Sequence, residues 1–334
     1  MARPTMRDVA ALAGVGLGTV SRVVNGDPRV SADKAGRVRA AITELGFRRN
    51  EIARALRPTQ RADTLALLLG DLTNSFYSSI AKAAVQEASK EGYAVVVGSV
   101  DEDPEGERRT VRQLVARRVD GLHIVPDQGD HSFMSTELAG QEIPVVFVDR
   151  PATGITADVV VVDNERGGLL ATEHLVAHGH RRIAILVAPS YYTTGRRLRG
   201  YRRALRQAGI AIDDALVVHL QEGSADEAAA ATEQLLELAD PPTALFTTTN
   251  FLSEGALRAM GHGRRTLALV GFDDFRFADM LPVPVTVVRG DAAELGRLGS
   301  RLLLDRIHGD TGPPQRVTLP VTLVARGSGE LPPG

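Results

Sequence analysis

Thr5-Met6-Arg7-Asp8-Val9-Ala10-Ala11-Leu12-Ala13-Gly14-Val15-Gly16-Leu17-Gly18-Thr19-Val20-Ser21-Arg22-Val23-Val24-Asn25 decides how this chain is read. Thr5 is a good N-cap for a helix over roughly Met6–Ala13, in which Val9, Leu12 and Ala13 share one face. Gly14 permits a sharp turn, and Val15 plugs the corner behind it. A second helix over about Leu17–Asn25 turns Val20, Val23 and Val24 inward. Its other face carries Thr19, Ser21, Arg22 and Asn25, polar groups suited to base edges and phosphates. Ser31 is the expected cap of a third helix reaching about Leu45, with Asp33 near its positive end. Helix, glycine turn, helix and supporting helix make a helix-turn-helix arrangement.

Charge sets this head apart. Residues 1–61 hold twelve basic and five acidic side chains, a net of +7, which leaves −9 on the rest of a 334-residue chain whose total is −2. A basic head on an acidic body suits a polyanion at one end only, because the head neutralises phosphates while the body repels them. With 43% apolar and 24% charged residues the balance is that of a soluble globular protein, and the length calls for two or three domains. The absence of cysteine removes disulfides and thiolate metal sites. No apolar run approaches the ~18 residues of a membrane span, and no secretory h-region follows the N-terminal charges, so a cytoplasmic protein without membrane contact is expected.

Pro58 and the polar run Thr59–Asp63 mark a boundary, so 1–49 is read as the head, 50–61 as a short amphipathic turn and linker, and 62–328 as the body, with 329–334 a tail. The body alternates. Apolar, strand-like runs at Leu65–Leu69, Ala94–Val97, Gly121–Val125, Val145–Val148, Ile183–Val187, Ala244–Thr247 and Leu267–Val270 are separated by amphipathic helical stretches. These include Ser78–Glu91, Glu105–Arg117, Arg166–His178, Arg197–Ala208 and Ala225–Leu238. Short runs buried on both faces with crossover helices predict an α/β body of doubly wound parallel sheets. More than 250 residues of that pattern predict two lobes with a ligand crevice at the carboxyl ends of the strands.

Beyond the head, Arg29-Val30-Ser31, Glu44-Leu45-Gly46-Phe47 and Asn50…Ala53…Leu56 extend a pattern that resembles the lac-repressor (LacI/GalR) family. The likeness resumes at Asp101–Pro104, Arg118–Leu122, Val148-Asp149-Arg150-Pro151, Val162-Asp163-Asn164, Glu173-His174-Leu175, Gly179–Ala184, Arg197…Gly200-Tyr201 and Val270–Asp274. It runs in one order through nearly the whole chain. The resemblance implies a helix-turn-helix head, a hinge helix and a two-lobed body like that of periplasmic binding proteins. It implies a DNA-binding transcriptional regulator, most simply a repressor of a sugar-utilisation operon, with a small-molecule effector held between the lobes.

Carried over residue by residue, the resemblance puts Thr5, Arg7, Leu17, Gly18, Thr19, Ser21, Arg22, Asn25, Arg29 and Val30 against DNA. Arg22 suits bidentate bonding to guanine, which is worth about 1–3 kcal/mol of discrimination. Thr19, Ser21 and Asn25 would mostly fix position on the backbone. Gly16 stands where a serine is usual, Leu17 offers apolar contact and Gly18 backbone alone. Asn50, Ala53 and Leu56 match the hinge, whose two copies enter the minor groove with the leucine wedged between base steps. In the body, Asp149, Arg197 and Asp273 fall where the family holds polar effector groups, with Phe76 and Tyr77 as aromatic contacts. Thr249-Asn250 replaces the family's common Asn-Asp, and Arg289-Gly290 its Arg-Gln.

His174, His178 and His180 look like a metal cluster, but they sit at a helix end where His caps carbonyls. Neither HExxH nor a P-loop occurs, and no cofactor or metal is called for. An enzyme is therefore not expected. The expected partners are a pseudo-palindromic operator in double-stranded DNA, a sugar or sugar derivative, and a second copy of the chain. The eight residues after Arg326 are too few for the leucine-rich helix that makes some members tetramers. The alternatives are a regulator answering a non-sugar metabolite such as a purine, or a protein co-effector, and more remotely a sugar-binding transport protein. The lobes are expected at about 62–160 with 290–318, and 161–289 with 319–328, joined by three crossovers.

Overall fold

The computed structural model describes residues 4–24, 27–47, 62–100, 103–189, 192–261 and 267–333. The expected DNA contact Asn25 and the hinge and linker at 50–61, with Asn50, Ala53 and Leu56, lie outside the described residues. The chain divides into two compact units at Ala62/Asp63.

The first unit is three helices, α1 (Met6–Ala13), α2 (Leu17–Val24) and α3 (Ala32–Leu45). Thr5 and Asp8 form a reciprocal capping box at α1, and Gly14 ends that helix in the left-handed conformation at φ 63°. Ser31 holds the N-cap position of α3, but its hydroxyl makes no capping bond; only its carbonyl is used, by the Ala35 N–H at 3.0 Å. Val9, Ala13, Val20, Val38 and Ala41 are the buried core, one small apolar set contributed by all three helices.

The second unit carries, in chain order, β1 (Thr64–Leu69), α4 (Ser75–Lys90), β2 (Ala94–Ser99), α5 (Pro104–Ala116), β3 (Gly121–Ile124), α6 (Ser132–Glu137) and β4 (Val145–Val148). It continues with β5 (Asp158–Val162), α7 (Asn164–Ala177), β6 (Ile183–Val187), α8 (Tyr192–Gln207), β7 (Val217–His219), α9 (Ala225–Leu236) and β8 (Ala244–Thr247). It ends with α10 (Asn250–Met260), β9 (Ala268–Phe272), β10 (Thr286–Gly290), α11 (Ala292–Ile307), β11 (Arg316–Leu319) and β12 (Val321–Val324). Two six-stranded sheets result, ordered β2-β1-β3-β4-β5-β11 and β7-β6-β8-β9-β10-β12. All pairings are parallel except β10 with β12. The two orders correspond strand for strand, so each lobe is a doubly wound unit with a switch point beside its first strand.

The chain crosses between lobes three times: after Val162, after Gly290, and at Pro320 between β11 and β12. The first crossing comes two residues later than the sequence suggested, because β5 pairs with β4 and β11 through its whole length. Apolar side chains fill both faces of each sheet, under α5 and α6 and under α4 and α11 in one lobe, and under α9 and α10 and under α7 and α8 in the other. The expectation of runs buried on both faces fails at β2. That strand is an edge, and Val96 and Val97 are exposed. Of the residues expected as a tail, Gly329, Glu330 and Leu331 are built into the second lobe. Ser328–Glu330 is a 3-10 turn with Ser328 and Gly329 buried, and Leu331 packs on the core beneath α7 and α8. Among the described residues no helix is long and apolar enough to cross a membrane.

Candidate functional site

In the head, α2 is amphipathic because Val20 is driven into the three-helix core while the opposite face has nothing to bury against. Thr5, Arg7, Leu17, Gly18 and Ser21, five of the expected DNA contacts, line one depression between the start of α1 and the exposed face of α2, together with Met6. Leu17 is 46% exposed, an apolar side chain at the first turn of α2. The Arg22 side chain is exposed and donates through Nε to the Gly18 carbonyl one turn back at 3.2 Å. Thr19 is half-buried. The Thr5 hydroxyl is engaged by its capping box, so the cap fixes it in place. Arg29 forks onto Asp27 with bonds of 2.9 and 2.8 Å, which hold the Asp27 carboxyl at about 2; Val30 beside it is half-buried.

In the body, the loops after β1, β4, β6, β7, β8 and β9 meet at the carboxyl ends of both sheets and enclose a crevice of about 490 Å³. All seven residues expected to face an effector line it: Phe76, Tyr77, Asp149, Arg197, Thr249, Asn250 and Asp273.

Asp149 and Asp273 occupy equivalent places, one per lobe, directly after β4 and β9. Both have left-handed backbones, φ 68° and 67°, which Asp tolerates better than most residues. The Asp149 N–H donates to Val160 O at 2.9 Å and the Asp273 N–H to Val288 O at 2.8 Å, so each turn is pinned to the next strand and aims its carboxylate inward. Arg197, from α8, is 3% exposed. Its Nε donates to Asn164 Oδ1 at 2.8 Å, and its Nη1 donates to Thr248 O at 2.6 Å and to Asp273 Oδ2 at 3.3 Å. Its guanidinium lies 3.5 Å over the Phe272 ring, which fixes its plane. Gly168 makes this seating possible, because a Cβ there would stand 2.0 Å from the Arg197 carbonyl oxygen.

Burial pushes the Asp273 carboxyl up to about 6, with Arg197 opposing and Asp149 adding to the shift. Burial raises Asp149 likewise, against the pull of Arg150 and Arg197. Two buried acceptors that repel each other and a guanidinium clamped by four partners form a preorganised polar floor. Hydroxyl groups suit it, since Asp accepts from them and Arg donates in a planar fork. Phe76 and Tyr77 meet edge to face with ring centroids 5.4 Å apart and give the crevice an apolar wall.

Thr249 and Asn250 serve local structure as well. The Thr249 hydroxyl caps α10 by accepting the Leu252 N–H, and the Asn250 amide pairs with Asn74 from the other lobe. Arg289 turns away to Asp274, at 3.2 Å, and Asp274 is also gripped by Arg326 at 2.8 and 2.6 Å. Neighbouring aspartates thus divide the work, Asp273 facing the crevice and Asp274 locking the loop. The three histidines are engaged separately. His178 Nδ1 lies 2.8 Å from the His174 carbonyl, His174 Nε2 2.8 Å from Glu330 Oε1, and His180 bridges Thr243 Oγ1 and Leu331 O. No His, Asp and Glu group among the described residues has a metal-binding arrangement.

Sequence reasoning missed Asn74, Arg150, Thr193, Thr194, Glu222 and Phe251 in the lining. Most sit at helix starts, and an Asn-Ser pair before Phe76 was a legible N-cap signal. Arg150 follows Asp149 directly; its Nε donates to Pro126 O at 2.6 Å.

Residues 5–50 match the family model for bacterial regulatory proteins of the lacI family, and residues 172–329 match a periplasmic binding protein-like domain. The HTH-type transcriptional regulator CelR of Thermobifida fusca is 37% identical over 98% of both chains. The chain belongs to the lacI family. A solved complex of CelR with cellobiose superposes on this lacI-family chain with a TM-score of 0.73 at 34% identity, covering 98% of this chain and 100% of that one. The lac repressor dimer bound to operator and the anti-inducer ONPF gives a TM-score of 0.87 at 30% identity, covering 98% and 99%. This lacI-family chain is therefore a DNA-binding transcriptional regulator with a helix-turn-helix head and an effector-binding body, and the relatives it matches end to end are regulators rather than enzymes.

Proposed function

We propose that the protein represses a sugar-utilisation operon, binding a pseudo-palindromic operator as a homodimer and releasing or tightening its hold when a neutral, hydroxyl-rich sugar enters the crevice. One observation carries the sugar assignment: Asp149, Asp273 and Arg197, each less than a tenth exposed, converge on one crevice from both lobes. The lining also contains Asp71 and Glu222, giving four carboxylates against Arg150 and Arg197, a balance that disfavours anionic metabolites. Cellobiose bound to CelR is the related precedent.

Dimerisation is supported by apolar side chains left exposed in both lobes, Val85, Val96 and Val97 in one and Phe277, Met280 and Val283 in the other. The lac repressor precedent is itself a dimer on its operator. The head is expected to read DNA with Leu17, Gly18, Thr19, Ser21 and Arg22, and the segment at Asn50, Ala53 and Leu56 to enter the minor groove once two copies are held together. Effector binding then acts through the bodies on the spacing of the paired hinges. Calorimetric titration with cellobiose, ribose and a purine base tests the ligand class. Saturable binding of a sugar, lost in Arg197→Ala, is expected, whereas binding of the purine alone would overturn the sugar assignment.

A further inference from the structure

The two lobes meet across the crevice through a reciprocal pair of amides. Asn74 precedes α4 in one lobe and Asn250 opens α10 in the other. The Asn74 Oδ1 accepts the Phe76 N–H at 3.0 Å and the Asn250 Nδ2 at 2.9 Å. In return the Asn250 Oδ1 accepts the Phe251 N–H at 3.0 Å and the Asn74 Nδ2 at 3.3 Å. Because each amide oxygen is claimed by a helix N–H, the orientation of both amides is fixed and each NH2 has to point across the gap. Ser75 adds a 3.5 Å contact from its hydroxyl to the Asp274 carbonyl beside the pair. Asn250 is 2% exposed, so separating the lobes strips partners from a buried amide.

We propose that Asn74 and Asn250 form a clasp that sets how far the crevice closes, and that they are positioning residues for the effector rather than contacts to it. The carboxylates and Arg197 bind the ligand; the clasp holds the two lobes at the separation those groups need. An acid in place of either asparagine still accepts its helix N–H but has no proton to give its partner. The chemistry of a clasp between two helix starts therefore requires an amide at both positions. The link to effector affinity rests on the crevice being the effector site; the link to lobe closure does not.

The chain has no cysteine, so Gln113→Cys in α5 and Gln207→Cys in α8 provide one spin-label site in each lobe of the full-length protein. Interlobe distances are read by pulsed electron resonance with labelled protein diluted into unlabelled. Asn74→Asp/Asn250→Asp keeps the acceptors for the Phe76 and Phe251 N–H groups and sets two carboxylates against each other. It is expected to lengthen and broaden the distance distribution and to lower the closed-to-open ratio at least roughly tenfold, as two lost hydrogen bonds require. Asn250→Ala is expected to shift the distribution the same way, and adding Asn74→Asp to it to change little more. Cellobiose affinity is expected to fall by a similar factor in each variant. A parent-like distance distribution in folded variants, with only the unfolding temperature changed, would overturn the clasp. If cellobiose binds neither parent nor variant, the sugar assignment fails while the distances still decide the clasp.

Discussion

Replacing Asp273 by Asn is expected to stabilise the body and weaken effector binding together. The carboxyl titrates at about 6 instead of 3.8 because burial penalises its charge, Arg197 opposes the shift and Asp149 reinforces it. A carboxyl raised in the folded state holds its proton more tightly there than in the unfolded chain. Stability therefore falls as pH rises from about 4 to about 6, and the full penalty persists above that. Roughly two pKa units at about 1.4 kcal/mol each set an upper bound of about 3 kcal/mol at pH 7.5. Asn is the right probe. It tolerates the left-handed backbone at φ 67°, and its Oδ1 still accepts from Arg197 Nη1. About 1–3 kcal/mol of stabilisation raises the unfolding temperature by about 2–10 °C in a domain of this size. Loss of a charged acceptor costs a hydroxyl ligand roughly ten- to hundredfold in affinity. Urea denaturation between pH 4 and 8, with a cellobiose titration at pH 7.5, reads both effects. The parent–variant gap should shrink toward zero near pH 4. A variant less stable than the parent at pH 7.5, or a gap independent of pH, would refute the reasoning.

Other outcomes follow from the same physics. Burial holds His123 at about 4, below its ordinary 6.5, so the unfolded chain takes up a proton first and stability falls as pH drops from 6.5 to 4. His123→Gln should flatten that acid limb in denaturation curves, by as much as about 3 kcal/mol at pH 4. Gly168→Ala should destabilise the second lobe by more than about 2 kcal/mol, since its Cβ would meet the Arg197 carbonyl at 2.0 Å. Gly195→Ala, with open space around it on α8, should instead be neutral or stabilising by up to about 1 kcal/mol in thermal melts. Leu17→Ala should change head stability by less than about 0.5 kcal/mol while lowering operator affinity in gel-shift titrations, because this leucine already faces solvent.

The head was legible because its signals are local: Thr5 with Asp8, Gly14, and three valines at helical spacing determine α1, the turn and α2 from sequence alone. The seven crevice residues were legible for a different reason. Asp149 and Asp273 directly follow β4 and β9, and Thr249 and Asn250 lie just after β8. Phe76, Tyr77 and Arg197 sit on α4 and α8, and the resemblance carried each of the seven over by its place in a family motif. What escaped reading depends on tertiary contact. The Gly296 and Gly299 that make α11 a poor helix by propensity are there because Ile80 O and His123 Nε2 occupy the space of their side chains, 2.2 and 2.4 Å from where a Cβ would stand. At Thr247-Thr248-Thr249 the β-branched run continues past the end of β8 and hides the start of α10, which the Thr249 cap then fixes. Strands β11 and β12 are four residues each around Pro320, too short for a period to show. The Asn74–Asn250 pair joins positions far apart in sequence, and no local pattern announces it.

The central claim is that sugar in the crevice controls how a paired head grips a two-fold symmetric operator. Duplexes selected from a random pool by the full-length protein, then titrated by fluorescence anisotropy at physiological salt with and without cellobiose, test it most directly. The account predicts a pseudo-palindromic winner bound far more tightly than random DNA, with an affinity that changes at least several-fold on adding the sugar and no longer changes in Arg197→Ala. Equal affinity for random and selected duplexes, or a sugar response that survives Arg197→Ala, would contradict it.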